Sequence, residues 1–141
     1  MPTLTLKLSP PVDAARAQSL AAALTELSAT LLGKRREVTA VLVEPLATGY
    51  WFVNGETPAR ATALLAIDIT SGTNRAEEKA RFVAAAFAEI ERQLAPREGL
   101  EMASYVQLRE LPAGDWGYGG LTQAARAAQR SVREVRGSAL A

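Results

Sequence analysis

Histidine and cysteine are both absent from the 141 residues. That removes Ser-His-Asp and Cys-His nucleophile systems, Cys/His zinc sites and disulfides together. Any proton chemistry falls to carboxylates, lysine, tyrosine or a terminal amine. Charge of one sign is also scarce. The 16 basic and 15 acidic side chains leave a formal net charge of +1, too small for a global field that would gather nucleic acid, and no aromatic-plus-basic module pattern accompanies it. Long apolar runs are missing. The longest, Phe82 to Ala88, is far short of the ~20 residues a bilayer-spanning helix needs. Met1 to Lys7 is not the charged region and apolar core of a secretory signal. The expectation is a cytoplasmic protein with neither a nucleic-acid nor a membrane partner.

What is present is enough for one globular domain with a real core: 48% of the chain is hydrophobic and 22% charged. Thr3 to Leu8 alternates Leu4, Leu6 and Leu8 with Thr3, Thr5 and Lys7, the period of a half-buried strand. From about Asp13 to Leu32, Ala17, Leu20, Leu24, Leu27 and Leu31 step by three and four, which predicts a helix closed by Gly33. Thr39 to Glu44 reads as a second strand, followed by a loop with Gly49, Tyr50, Trp51 and Asn54-Gly55. The order then repeats. Ala63 to Thr70 alternates as a strand, Asn74 with Glu77 resembles a helix N-cap with its capping partner, and Val83, Phe87, Ile90 and Leu94 form a helical stripe. Ser104 to Glu110 is the fourth strand, before a second glycine-aromatic loop from Gly114 to Gly120.

Trp51 and Trp116 are 65 residues apart, as are Gly49 and Gly114, Gly55 and Gly120, and Leu46 and Leu111. The fold class expected is α+β: tandem βαβ units over about 1–60 and 61–120, forming a four-stranded sheet with both helices on one face. Residues 121–141 add a basic helical tail, with Leu121, Ala125, Ala128, Val132 and Val135 as its apolar stripe and Arg126, Arg130, Arg133 and Arg136 against Glu134. It reads as a solvated helix docked on its own or a neighbouring subunit, with nucleic-acid or membrane contact as the alternative. Leu4, Leu6, Leu8, Leu65, Ile67 and Ile69 offer more apolar strand surface than two helices are expected to cover. A ring-like homo-oligomer is predicted on that ground.

The two units differ in ways that suggest a site. On one side of the fourth strand lie Tyr105, Gln107 and Arg109, where the first unit has Ala40, Leu42 and Glu44. These three line either a wet subunit interface or a polar pocket. Pro2 is the other candidate. In ordinary chains it signals only that the initiator methionine is cleaved. With Met1 removed, however, it would present a secondary amine whose reference pKa near 8 could be tuned towards general-base use. Gly33-Lys34 lacks the frame of a phosphate loop, and Gly117, Gly119 and Gly120 lack that of a dinucleotide fingerprint. Asp68 and Glu110 have no carboxylate partner at a telling spacing.

The chain resembles the tautomerase superfamily, both 4-oxalocrotonate tautomerase-like and macrophage migration inhibitory factor-like members, over roughly Pro2 to Gly120. The residues that carry the likeness are Met1-Pro2 leading into a strand, Leu32-Gly33-Lys34, Ala40 to Pro45, Thr73-Asn74-Arg75, Ser104 to Gln107 and Gly114-Asp115-Trp116. The resemblance implies a homotrimer with sites between subunits, acting on a small carbonyl or enol acid without metal or organic cofactor. Carried over by position, Pro2 is the catalytic base, Lys34 the lysine beside it and Tyr105 the neighbouring subunit's tyrosine. Ile67 falls at a pocket-lining backbone position, Gln107 stands for an asparagine, and Trp116 is the aromatic residue of the glycine-rich loop. Arg75 and Arg109 complete the candidate substrate-binding set. There are departures. Gly72 is followed by Thr73 where short members carry arginine, and their strand arginine is Tyr105 here. The implied activity is keto-enol tautomerisation. Hydration-dehalogenation or decarboxylation of a 3-carbon acid, or a non-enzymatic trimeric interaction protein, are the alternatives.

Overall fold

The computed structural model describes residues 2–140. Strand β1 (Thr3–Ser9) leads to helix α1 (Ala14–Leu32), a single 3-10 turn and strand β2 (Ala40–Pro45); β3 (Thr62–Thr70), α2 (Ala76–Leu94) and β4 (Tyr105–Leu111) repeat the order. The sheet runs β2-β1-β3-β4. β1 is parallel to β2 and β3 to β4, while β1 and β3 meet antiparallel at the centre. The parallel pairs are the two expected βαβ units, and α1 packs beside α2. Asp13 caps α1, its carboxylate accepting from the Arg16 N–H at 2.8 Å, and Gly33 ends it at φ 67°.

One expectation is displaced by a residue. Arg75, not Asn74, is the N-cap of α2, and Glu78, not Glu77, accepts from the Arg75 N–H at 2.8 Å. Asn74 is engaged elsewhere, donating from its amide to the Leu32 carbonyl at 3.0 Å. It thus fastens the start of α2 to the end of α1.

The faces of the sheet also correct the basis of the oligomer expectation. Leu4, Leu6, Leu8, Leu65, Ile67 and Ile69 all point under the helices and are completely buried with Leu20, Leu24, Phe82, Ala86 and Ile90. The strand leucines are therefore not surplus. The uncovered face is mixed, with rows set by the register: Ala40-Thr3-Asp68-Arg109, Leu42-Thr5-Ala66-Gln107 and Glu44-Lys7-Leu64-Tyr105. Asp68 holds the first row together. It accepts from Arg109 Nε at 2.7 Å and Nη2 at 3.2 Å, and from Thr3 Oγ1 at 3.2 Å.

The offset between the units is not uniform. Thr3 pairs with Ala40 and Leu64 with Tyr105, so the central strands correspond at 61 residues; the helices begin at Ala14 and Ala76, 62 apart. The link from α2 to β4 is longer than that from α1 to β2, which brings the later loops to 65. The counterpart of Pro2 is therefore Ala63, in the middle of the chain.

Both glycine loops are tight hairpins. Asn54-Gly55, at φ 53° and 75°, joins a Val53 to Glu56 bridge. Gly119-Gly120, at φ 60° and 81°, joins β5 (Gly117–Tyr118) to β6 (Leu121–Thr122), the positive pair a type I′ turn demands. Helix α3 (Gln123–Leu140) follows. It packs mainly on β6 and leaves Val132 and Val135 52% and 70% exposed, so the stripe is not docked on its own subunit. Leu121, read as part of that stripe, belongs to β6. No described helix is long and apolar enough to cross a membrane.

Candidate functional site

Pro2 is completely buried at the entry to β1, and its carbonyl accepts from the Ala40 N–H at 3.3 Å. The antiparallel register that sets Thr3 against Asp68 brings Pro2 to the end of β3, beside Ile69 and Thr70. A residue fixed between two neighbouring strands has little freedom to swing. Met1 lies outside the described residues.

Lys34 reaches the same end of the sheet by a different route. Gly33 N–H donates to Ala29 O and Lys34 N–H to Ser28 O, both at 3.1 Å. With Gly33 left-handed, the first is the 5→1 bond of an αL cap, which turns the chain out of α1. The half-buried Lys34 ammonium donates to Thr73 Oγ1 at 3.0 Å, and that hydroxyl donates to the Thr70 carbonyl at 2.6 Å. Trp116 Nε1 donates to Thr70 Oγ1 at 3.2 Å. Lys34, Thr73, Thr70 and Trp116 thus form one connected group at the strand end that holds Pro2. Thr70 and Thr73 were not singled out from sequence. The signal for Thr73 was its place after Gly72, where short relatives of the resembled family carry arginine.

Burial holds the Lys34 ammonium below the ordinary lysine range, and the charge of Glu78 pulls it partly back. With the folded-state value below the unfolded one, the unfolded chain binds more protons in the interval between them. Stability contributed by this group therefore rises with pH across that interval. Replacing Glu78 with Gln keeps the capping chemistry and should lower the Lys34 value further. NMR titration of the lysine ε-methylene signals checks this; an unchanged midpoint would mean that Glu78 does not act on Lys34.

The other candidates are spread out. Arg109 shares the first row with Thr3 but is already forked onto Asp68. Gln107 lies one row further, and Tyr105 is opposite Leu64 at the far end of β3. At the usual strand dimensions Tyr105 is about 16 Å along the strands and about 10 Å across them from Pro2 of its own chain. It borders a separate 520 Å³ cavity with Tyr50, Phe52 and Leu64. The Ile67 side chain is in the core beneath the helices, paired with Leu4, so only its backbone is open to a site role. Arg75 is a cap residue with a largely exposed side chain, 3.4 Å from Glu78. A single chain therefore places Pro2, Lys34 and Trp116 at one end of the sheet with Arg109 in the adjoining row, and holds Tyr105 and Gln107 further along it.

No family model and no curated protein sequence matches the chain. Solved structures do. A native fused 4-OT is 26% identical with a TM-score of 0.74, covering 87% of this chain and 97% of its own. A macrophage migration inhibitory factor-like protein from Entamoeba histolytica is 17% identical at 0.70, covering 86% and 97%. N1, a member of the cis-3-chloroacrylic acid dehalogenase family, is 21% identical at 0.71, covering 85% and 82%.

Proposed function

On the tautomerase-superfamily fold that this chain has, we propose a cofactor-independent keto-enol tautomerase of a small 2-oxo or unsaturated acid, with Pro2 as its general base. The observation that carries the reading is Pro2 itself, buried at a strand end that also holds a half-buried lysine and an indole. With Met1 removed, the neutral amine takes a proton from the carbon α to the carbonyl, and the protonated amine returns it elsewhere on the conjugated system. Lys34 carries the positive charge. It lowers the amine's proton affinity and steadies the oxygen that becomes an enolate, where preorganised donors act most strongly. Trp116 walls the site against water.

The separation of Tyr105 from Pro2 within a chain fits a homotrimer in which Tyr105 and Gln107 of one subunit complete the site around Pro2 of the next. A fused 4-OT, 24% identical to this chain with a TM-score of 0.77, forms a symmetric trimer. Mixing tests this arrangement. A chain extended in front of Pro2 and a Tyr105→Phe chain are each expected to ketonise phenylenolpyruvate slowly. Unfolded and refolded together, they should regain activity, because some interfaces pair an intact Pro2 with an intact Tyr105. Mixed trimers no more active than the average of the parents would place both residues in the same chain's site.

The alternative chemistry, hydration-dehalogenation or decarboxylation of a 3-carbon acid, needs a protonated Pro2 at neutral pH. NMR titration of the Pro2 amine separates the two: a midpoint well above neutrality overturns the general-base reading.

A further inference from the structure

The second βαβ unit rebuilds the Pro2 end of the sheet at the opposite end of the molecule. By the offsets above, Ser9 stands where Thr70 does, Trp51 where Trp116 does, and Pro96 and Arg97 follow α2 as Lys34 and Arg35 follow α1. Ser9, Trp51, Thr62, Pro96 and Arg97 line a 440 Å³ cavity there, with Arg60 on the same wall. That volume suits a small molecule. No terminal amine can arise in it. The counterpart of Pro2 is Ala63, whose N–H donates to Ser104 Oγ at 3.1 Å, and the chain before it continues through Thr62 and Ala61.

The wall has a definite chemistry. Arg60 and Arg97 outnumber Glu98, and neither arginine enters an ion pair among the described residues. Guanidinium forks match the paired oxygens of a carboxylate or a phosphate, and the apolar surface beside them favours the carboxylate of an otherwise apolar molecule. Trp51, Leu94, Pro10 and Pro96 supply an apolar bed beside them. From this we infer that the cavity is a second, non-catalytic binding site for a small monocarboxylate with an aromatic or apolar body. It lies about 23 Å from Pro2, the length of β1. The duplicated chain thus has one station with an amine and one that binds without turnover, whatever chemistry Pro2 performs.

Phenylacetate is the probe, since it has no keto group to be tautomerised. Titrated into the full chain and followed by ¹H–¹⁵N spectra, it should shift the amides of Ser9, Thr62 and Arg97 and the Trp51 indole N–H saturably. A Trp116→Phe variant assigns the indole signal, because the chain has two tryptophans. An extension in front of Pro2 should leave these shifts intact. Arg60→Gln with Arg97→Gln should weaken the affinity about tenfold, the loss expected for a charge-assisted bond. The Arg97→Gln single variant should weaken it in the same direction, and the spectra of both report directly whether they are folded. The inference fails if those four signals do not move, even if signals at the Pro2 end do, or if the affinity survives in the folded arginine variants.

Discussion

Adding two residues in front of Pro2 is expected to slow ketonisation of phenylenolpyruvate by about a hundredfold to ten-thousandfold, the range a positioned general base contributes. The extension converts a basic secondary amine into a tertiary amide that cannot accept a proton, and it changes no side chain. Pro2 keeps the carbonyl that accepts from Ala40, so the variant should melt close to the unextended protein. That separates lost chemistry from lost structure. A Pro2→Ala chain retains a primary amine and should fall between the two. Full activity in the extended protein, followed as disappearance of the enol absorbance, would remove Pro2 from the reaction.

Phe82→Ala should cost about 3–5 kcal/mol of folding stability, the usual penalty when a fully enclosed ring is cut back and its neighbours relax only in part. Phe82 is completely buried, in one cluster with Leu4, Leu6, Leu20, Leu24 and Leu65. It therefore ties α2 into the core on which β1, and with it Pro2, rests. Val132→Ala on α3 is the contrast and should stay within about 0.5 kcal/mol, as for other surface positions. Urea unfolding at one fixed protein concentration compares them, the fixed concentration being needed where subunits associate. Equal losses in the two variants would contradict this account of the core.

Much of the fold was legible in the sequence, because alternation and three-to-four spacing are direct images of burial. β1, α1 and β3 appear within a residue or so of their expected bounds. Local signals failed where a distant partner decided the outcome. Asn74 is a better intrinsic cap than Arg75, yet its amide is taken by Leu32 across the α1–α2 junction. The strand leucines looked too many for two helices, since alternation shows that a strand has two faces but not which neighbours will cover them. The 65-residue period in the loops concealed the shorter offset of the central strands, and with it the pairing of Pro2 with Ala63. Pro2, Lys34 and Trp116 could be picked out one by one. The threonines that link Lys34 to Trp116 could not, because Thr70 and Thr73 matter only once α1 ends beside β3.

The clasp between Asp68 and Arg109 bears on which acids could be accepted beside Pro2. The Arg109 guanidinium already spends Nε and one Nη2 proton on the Asp68 carboxylate, leaving only its outward Nη1–Nη2 edge as a parallel pair of donors. A second carboxylate seeking a grip there would meet a cation already paired with Asp68, a mostly shielded anion, and would gain less than from a free guanidinium. For the chemistry proposed, the clasp therefore blunts the pull of Arg109 on a second carboxylate and tilts the choice of acid towards monoanions.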